Sequence, residues 1–265
     1  MKMWLPFVKP DPLVAVVRLS GIIASQGRPA LNDVGMAPLL EKAFERGKPV
    51  AVALVINSPG GSPVQSSLIG ARIRRLAEEK KVPVFAFVED VAASGGYWLA
   101  AAADEIYADP SSVVGSIGVI SASFGLDRFI ENYGVERRVY TAGKSKSMLD
   151  PFRPEKPEDV ERLKALLEDI HTNFKDHVRA RRGDKLPSDQ DLFTGQIWVG
   201  ARAVDVGLID GIGHVRPMMK ERFGKKVRFK VYGQRRGFLS RISGRIFADA
   251  VHSLEERAAF ARFGL

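Results

Sequence analysis

The amino-acid sequence predicts an α/β fold built around a mostly parallel sheet. Apolar, β-branched runs of strand length alternate with longer stretches that have helical periodicity. This alternation is typical of a parallel sheet that is covered by helices on both faces. At 265 residues, of which 45% are apolar, the chain is long enough to bury one large core.

The first half of the chain contains the clearest elements. Residues 13–19 predict a buried first strand, and residues 36–46 predict a helix. A second apolar strand is predicted over 50–56, followed by a helix over 64–80 and a third strand over 82–88. The ends of the second and third strands are expected at one edge of the sheet, where ligands bind in such folds.

The second half of the chain predicts shorter strands and one long helix. Short strands are expected over 105–108, 118–120 and 137–140. Residues 157–181 predict a helix with acidic residues near its start and basic residues at its end, as the helix dipole favours. Residues 225–231 alternate basic and apolar side chains, which predicts a half-buried strand.

Ser94 is the candidate nucleophile. It lies between two alanines and two glycines, directly after an apolar strand and before an alanine-rich stretch that predicts a helix. Small neighbours leave the hydroxyl accessible and let backbone amides approach a substrate carbonyl. A serine hydroxyl is a poor nucleophile by itself, so another group must accept its proton.

Two kinds of side chain can serve as that base. His171 and His177 lie on the strongly periodic 157–181 helix, where a solvated or core-edge histidine is the simpler interpretation, although a triad cannot be judged from residue order. A lysine can act as a base when burial disfavours its charged form. Lys146 has small hydroxyl neighbours and precedes an apolar, proline-bounded stretch, a setting compatible with a buried amine.

Five segments, in order, resemble signal peptide peptidase A and its relatives, serine peptidases with a Ser-Lys dyad. The segments are residues 56–61 (Ile-Asn-Ser-Pro-Gly-Gly), 93–97 (Ala-Ser-Gly-Gly-Tyr), 115–119 (Gly-Ser-Ile-Gly-Val), 146–152 (Lys-Ser-Met-Leu-Asp-Pro-Phe) and 195–213. The resemblance implies the spiral of β-β-α units shared by Clp-type proteases and crotonases. It also implies assembly into a homo-oligomeric ring.

The resemblance assigns roles to three side chains. Ser94 corresponds to the nucleophile, and Lys146, rather than its neighbour Lys144, corresponds to the general base. Ser116 is implied to orient the lysine amine, while a turn serine that bonds only to local backbone is the open alternative. The reaction implied is hydrolysis of peptide bonds in extended apolar peptides such as cleaved signal peptides.

Backbone amides are expected to stabilise the oxyanion of this reaction. The candidates are Gly95, next to the nucleophile, and Gly61, with the choice between Gly61 and Gly60 left open. An extended peptide is expected to pair by strand addition with residues 60–62 and 118–120. The substrate-binding residues predicted in these two segments are Gly60, Ser62, Gly118 and Val119.

Composition excludes several other classes of site. The chain has no cysteine, so disulfides, thiolate metal sites and thiol nucleophiles are impossible. Four scattered histidines have no metal-binding spacing, and the glycine-rich turns lack the ending of a phosphate loop. We therefore expect no cofactor and no metal.

The net charge of +9 is concentrated near the C-terminus. Residues 216–245 contain eleven Lys or Arg and one acid, so this stretch carries +10 and the remainder about −1. Apolar residues recur at helical spacing between 238 and 254. Packing on the core or a neighbouring subunit is one interpretation, and contact of the Arg216–Arg245 region with an anionic membrane is the other. No nucleic-acid motif is present, so no nucleic-acid partner is expected.

The sequence predicts three parts. Residues 1–12 are a short extension, 13–232 the peptidase domain and 233–265 a basic amphipathic helical extension. The apolar run at the N-terminus is too short for a signal peptide or a membrane span, and the Met1 start favours a natural form without an anchor. We expect a cytoplasmic protein, with peripheral contact at the inner membrane as the alternative setting.

Three rival functions stay open at this point. A crotonase-like acyl-CoA enzyme would share the fold, but such enzymes generally need carboxylates at the reacting carbon and the Ser94 turn offers none. A capsid-maturation protease of phage type would share the chemistry. A scaffold without catalysis is disfavoured because both Ser94 and Lys146 are present.

Overall fold

The computed structural model describes residues 10–25, 30–143, 145–233 and 257–265. Within these residues the chain forms an α/β structure around one sheet. The strands are β1 (Leu13–Ser20), β2 (Ala51–Ser58), β3 (Val84–Ala93), β4 (Glu105–Ala108), β5 (Val113–Gly115), β6 (Ile197–Val199), β7 (Gly211–Ile212) and β8 (Arg228–Tyr232). The helices are α1 (Asp33–Glu45), α2 (Pro63–Lys80), α3 (Gly95–Ala101), α4 (Asp127–Asn132), α5 (Pro157–Arg182), α6 (Gly200–Asp205) and α7 (Val215–Phe223), with a 3₁₀ turn at Gly183–Lys185.

The sheet is parallel except at one edge. Its order is β6-β5-β3-β2-β1-β8, and only the β5–β6 pair among the described strands is antiparallel. Strand β3 pairs with β4 through its first half and with β5 through its second half, and β4 in turn pairs with β7. This fork at β3 brings β2 and β5 to either side of the residues that precede Ser94.

Helices cover the two faces of the sheet unequally. Alternate side chains of β1 and β2, such as Val17 and Leu54, point into the main core, which α1, α2 and α3 close. The side chains between them, such as Val16 and Val55, point to the second face, where α7 contributes Met219. Burial on both faces explains why these strands read as continuous apolar runs.

Most of the predicted elements are present with shifted ends. Helix α1 begins at Asp33 because Asn32 accepts a hydrogen bond from the Gly35 amide and caps the helix. Strand β3 continues to Ala93, five residues beyond the predicted end. The predicted strand at 225–231 is observed as β8 and pairs with β1 at the edge of the sheet.

The short strands predicted over 118–120 and 137–140 were wrong. Both segments are irregular, and both lie in the stretch between β5 and α5, where α4 is the one helix or strand described. A strand needs a neighbour to satisfy its backbone hydrogen bonds, and no strand of the described chain lies beside either segment. The amino-acid sequence of the two segments did not show that a neighbouring strand is lacking. The helix predicted over 238–254 lies outside the described residues.

Candidate active site

Ser94 occupies a sharp turn between β3 and α3. Its backbone has φ 52° and ψ −123°, a conformation that residues with a side chain rarely adopt. The Ser94 hydroxyl does not cap α3, and it has no hydrogen-bond partner among the described residues. The strand-to-helix turn predicted from the sequence is thus present, and it carries a half-buried hydroxyl that is free to react.

Ser116 lies beside Ser94 because their strands are neighbours. In the parallel pair β3–β5, Ala93 is opposite Gly115, and the Ser94 amide donates to the Gly115 carbonyl over 2.8 Å. Ser116 follows β5 directly and also has φ 52°. Two serines with left-handed backbone therefore end adjacent strands at one point of the sheet edge.

The turn after β2 packs directly against the nucleophile. Ser58 is buried; its hydroxyl donates to the Gly21 carbonyl over 2.7 Å and accepts from the Gly60 amide over 3.3 Å. A Cβ atom on Gly60 would lie 2.8 Å from both the Ser94 Cβ and the Gly95 nitrogen. Only glycine lets this turn approach so closely.

Two backbone amides face the region around Ser94. Ile23 forms hydrogen bonds with the residues on both sides of Gly61. Its amide donates to the Gly60 carbonyl over 2.9 Å, and its carbonyl accepts from the Ser62 amide over 2.7 Å. The Gly61 amide therefore points away from Ile23. The Gly95 amide is the first of α3 and has no partner inside the helix. Within the described chain neither amide donates a hydrogen bond, so both can receive a negative oxygen.

Lys146 is not joined to Ser94 in the single chain. The sequence suggested a buried amine, but Lys146 is exposed, and its side chain has no hydrogen bond or ion pair among the described residues. Lys146 lies in a turn that its own amide closes by donating to the Gly143 carbonyl over 3.2 Å. Lys144, its alternative, lies outside the described residues.

The residues predicted to bind substrate differ in whether their hydrogen-bonding groups already have partners. The Ser62 hydroxyl caps α2 by accepting from the Gln65 amide over 3.4 Å, so it is already used. Gly118 donates its amide to the Ser116 carbonyl over 3.0 Å. The backbone groups of Val119 have no partner in the described chain. Among the described residues, the Gly61 amide is thus free in the 60–62 segment, and the backbone groups of Val119 are free in the 118–120 segment.

Sequence reasoning missed two backbone contacts that build this site. The Gln196 carbonyl accepts from the Ser116 amide over 2.7 Å and holds the Ser116 turn, and Ile23 holds the turn of Gly60 and Gly61. Both are main-chain contacts between distant parts of the chain. Two features of the sequence pointed to these parts of the chain, the apolar residues after β1 and the segment at 195–198 that resembles the family. Neither feature predicts which turn the segment contacts.

A cavity of about 730 Å³ lies elsewhere, on the second face of the sheet. Its floor includes Val16, Val55 and Phe87, and its rim includes the ion pairs Arg18–Glu89 and His214–Asp109. None of the predicted site residues is among those that line it in the described part of the chain. The described residues also contain no cluster of side chains that could hold a metal ion.

Comparison with known proteins identifies the family. Residues 76–226 match the sequence model of Peptidase family S49, a stretch that contains Ser94, Ser116 and Lys146. The chain belongs to peptidase family S49. The match covers more than half of the chain and favours a peptidase over an acyl-CoA enzyme on the same fold.

Several family S49 relatives are named as proteases. The chain is 34% identical over 208 residues to the chloroplastic serine protease SPPA of Arabidopsis thaliana, an alignment covering 76% of this chain and 30% of that protein. It is 33% identical over 200 residues to a putative protease of Synechocystis sp., covering 76% of this chain and 69% of that protein. Family membership agrees with the Clp/crotonase-like α/β fold of the chain.

A more similar relative has a different name. The chain is 51% identical over 271 residues to a protein of Brucella abortus (strain 2308) named Na(+)/H(+) antiporter NhaA, and the alignment covers 95% of this chain but only 37% of that protein. The chain thus spans little more than a third of this relative. Among its own described residues no helix combines the length and hydrophobicity that crossing a membrane requires.

Proposed function

We propose that the chain is a serine endopeptidase in which Ser94 is the nucleophile and Lys146 the general base. The observation that carries this proposal is the free Ser94 hydroxyl at a left-handed turn, with the unpaired amides of Gly61 and Gly95 beside it, in a chain of a peptidase family. A serine hydroxyl next to two preorganised amides is suited to acyl transfer.

The proposed reaction has two halves. The Ser94 oxygen attacks the peptide carbonyl as its proton passes to the neutral Lys146 amine, and the carbonyl oxygen becomes an oxyanion held by the Gly61 and Gly95 amides. The C–N bond then breaks, and the lysine returns the proton to the leaving amine. Water repeats the sequence on the acyl-enzyme and frees Ser94. Ser116 is proposed to orient the lysine amine.

The substrate is proposed to be an extended apolar peptide of the kind left by cleaved signal sequences. Residues 60–62 use one side of their backbone to pair with Ile23, which leaves the Gly61 amide on the opposite side. Residues 118–120 lack strand pairing altogether in the described chain. A peptide lying between these segments would pair with both and present its scissile carbonyl to Ser94.

Completion of the site is proposed to occur in a homo-oligomer. Lys146 is exposed in the single chain, whereas a lysine base needs surroundings that disfavour its charge. The stretch between β5 and α5 also exposes large apolar side chains, among them Phe124, Phe129 and Tyr140. A second copy packed on this stretch would cover these side chains and remove water from the lysine.

Contact of the basic C-terminal region with an anionic membrane stays a proposal. Four of its described cations are engaged within the chain: Arg216 lies over the Phe229 ring, Arg222 pairs with Glu105, Arg228 donates to the Asp11 carbonyl and Lys230 lies over the Tyr232 ring. Lys225 and Lys226 have no acidic partner among the described residues, and the Brucella relative carries an antiporter's name. Residues 234–245 lie outside the description. Co-sedimentation with anionic vesicles at low and high salt tests this contact.

The dyad is tested by hydrolysis of apolar, signal-peptide-like fluorogenic peptides. We expect Ser94→Ala and Lys146→Ala to be folded but inactive, with Lys144→Ala as the matched control that keeps activity. Wild-type activity should rise into the alkaline range, because the base must be unprotonated. A folded, oligomeric wild type without activity contradicts the peptidase proposal. A pH profile that is flat from mildly acid to alkaline contradicts the lysine base, and an inactive Lys144→Ala transfers that role to Lys144.

A further inference from the structure

Helix α5 packs against α3 and reaches the turn that carries Ser116. Side chains at helical spacing on one of its faces point towards α3, and two of them, Phe174 and Val178, are buried. The same face carries His171 and His177. The sequence analysis interpreted these two histidines as solvated or core-edge residues, and both are half-buried. His177 contacts a backbone carbonyl in α3, which begins directly after Ser94, and His171 contacts the carbonyl of the residue after Ser116.

His177 binds the helix that begins at the nucleophile. Its Nε2 lies 3.0 Å from the Trp98 carbonyl oxygen in α3, and its ring stacks on the Trp98 indole with 4.6 Å between centroids and 9° between planes. A carbonyl oxygen only accepts, so Nε2 must carry the hydrogen and donate. Burial lowers the pKa of His177, and the imidazole is therefore neutral near pH 7.

This bond completes the C-terminal end of α3. The last four carbonyls of any helix lack partners within it. In α3, two of the four accept from the amides that follow the helix. The other two are those of Trp98 and Ala101, and α5 donates to both, through His177 and through Arg181 Nε over 3.1 Å. Hydrogen bonds from α5 thus hold the C-terminal end of α3, while β2 and β5 pack against its N-terminal end.

His171 reaches the second turn. Its Nε2 lies 3.3 Å from the carbonyl oxygen of Ile117, the residue after Ser116, so here too the imidazole must donate. The Gly195 amide donates to the same carbonyl over 3.1 Å. The turn of Ser116 is therefore held from two sides, by a side chain of α5 and by the backbone of residue 195.

We infer that His171 and His177 are positioning residues for the proposed peptidase reaction. A shift of α3 would carry with it the Gly95 amide and the Ser94 hydroxyl, both at its N-terminal end. A shift of the Ile117 carbonyl would move Ser116. Two histidines six residues apart on one helix thus add to the β3–β5 hydrogen bonds that set the spacing between the nucleophile and its neighbouring serine, and neither needs to touch the substrate.

The test compares substitutions that remove the donor with one that keeps it. We expect His171→Leu and His177→Leu to lower kcat by about 10- to 100-fold while KM changes by less than about twofold, because misplaced reacting groups slow the chemical step. Glutamine places an amide donor near the position of Nε2, so His171→Gln and His177→Gln should recover most of kcat. His214→Leu is the control, since this histidine is exposed and pairs with Asp109 on the second face.

A second readout needs no peptide. The rate at which a fluorophosphonate modifies Ser94 should fall in both leucine variants and recover in both glutamine variants. Leucine variants that react and turn over like the wild type overturn the inference, as do glutamine variants no better than leucine. If His177→Leu does not fold, His177→Asn, whose amide is too short to reach the carbonyl, replaces it in both assays. If the wild type does not hydrolyse peptides, the proposed function is contradicted but the positioning role is not. The labelling rates of the histidine variants then test the positioning role by themselves.

Discussion

Ser94 and Ser116 are the two strained residues of the site. Both have φ 52°, a conformation that costs on the order of 1–3 kcal/mol for a residue with a side chain. Both follow the last residue of a strand in the parallel pair β3–β5. The hydrogen bonds of that pair offset the cost of the strained backbone. The sheet edge therefore keeps both serines in this conformation and orients their hydroxyls.

Gly96 gives a stability prediction at the same scale. A Cβ atom there would overlap the Ser58 carbonyl oxygen at the end of β2, and neither backbone can move without shifting the site. We expect Gly96→Ala to lower the free energy of unfolding by about 1–3 kcal/mol and to reduce kcat. Denaturant unfolding and peptide hydrolysis measure the two effects.

Gly211→Ala is the matched control for this substitution. A Cβ on Gly211 would meet only the Tyr107 ring, at 3.5 Å, an ordinary contact distance. If Gly96→Ala unfolds at the same denaturant concentration as Gly211→Ala, the close packing of α3 against β2 is not a constraint on this chain.

At the scale of elements, helix α5 is joined to the core by its last turn. The Arg182 side chain is 2% exposed, donates to the Gly207 carbonyl over 2.7 Å and pairs with Asp210 over 2.8 Å. Burial by itself would raise the pKa of Asp210, but hydrogen bonds from Arg182 and Lys185 lower it overall, so the carboxylate is charged. Asp210 also accepts from the Ile106 amide over 2.7 Å, which ties α5 to β4.

We predict that Arg182→Met destabilises the chain by about 2–3 kcal/mol, because the Gly207 carbonyl loses its donors and the Asp210 carboxylate keeps only the half-exposed Lys185 as a charged partner. Arg179→Met, in the same turn of α5, is the control. Arg179 forms an exposed pair with Asp176, and such pairs contribute about 0–1 kcal/mol. Thermal or denaturant unfolding of the two variants gives the comparison. Equal losses would show that the buried pair does not anchor α5.

At the scale of the whole molecule, the stretch between β5 and α5 leaves several large apolar side chains exposed in the single chain. Phe124 is 83% and Tyr140 91% exposed. Apolar patches of this kind mark interaction surfaces. The residues proposed as base and as peptide-binding backbone lie in the same stretch, so assembly and catalysis are expected to be coupled.

We predict that the wild type sediments as a homo-oligomer and that Phe124→Ser with Tyr140→Ser both dissociates it and lowers peptide hydrolysis. Val34→Ser is the control, since Val34 is equally exposed but lies on α1, outside this stretch. Sedimentation velocity and activity are measured at the same protein concentrations. A wild type that is monomeric and fully active would refute the coupling.

The sequence by itself determined the order of the strands and helices from β1 to β4, the long helix α5, the strand β8, the Ser94 turn and the family. These features depend on local patterns: β-branched runs, helical periodicity, and a serine among residues too small to shield it. The resemblance of five short segments led to the same family that the comparison over residues 76–226 shows.

Only the tertiary structure decided how these segments meet. The fork at β3, the pairing of Ile23 with the Gly61 turn and the hydrogen bonds from α5 to the carbonyls of Trp98, Ala101 and Ile117 all join residues far apart in the chain. Each of these contacts involves a backbone group, and every residue has such groups. The pattern of side chains in the sequence therefore does not predict them. For the same reason the sequence predicted strands at 118–120 and 137–140, since it could not show that no neighbour lies beside them in the described chain.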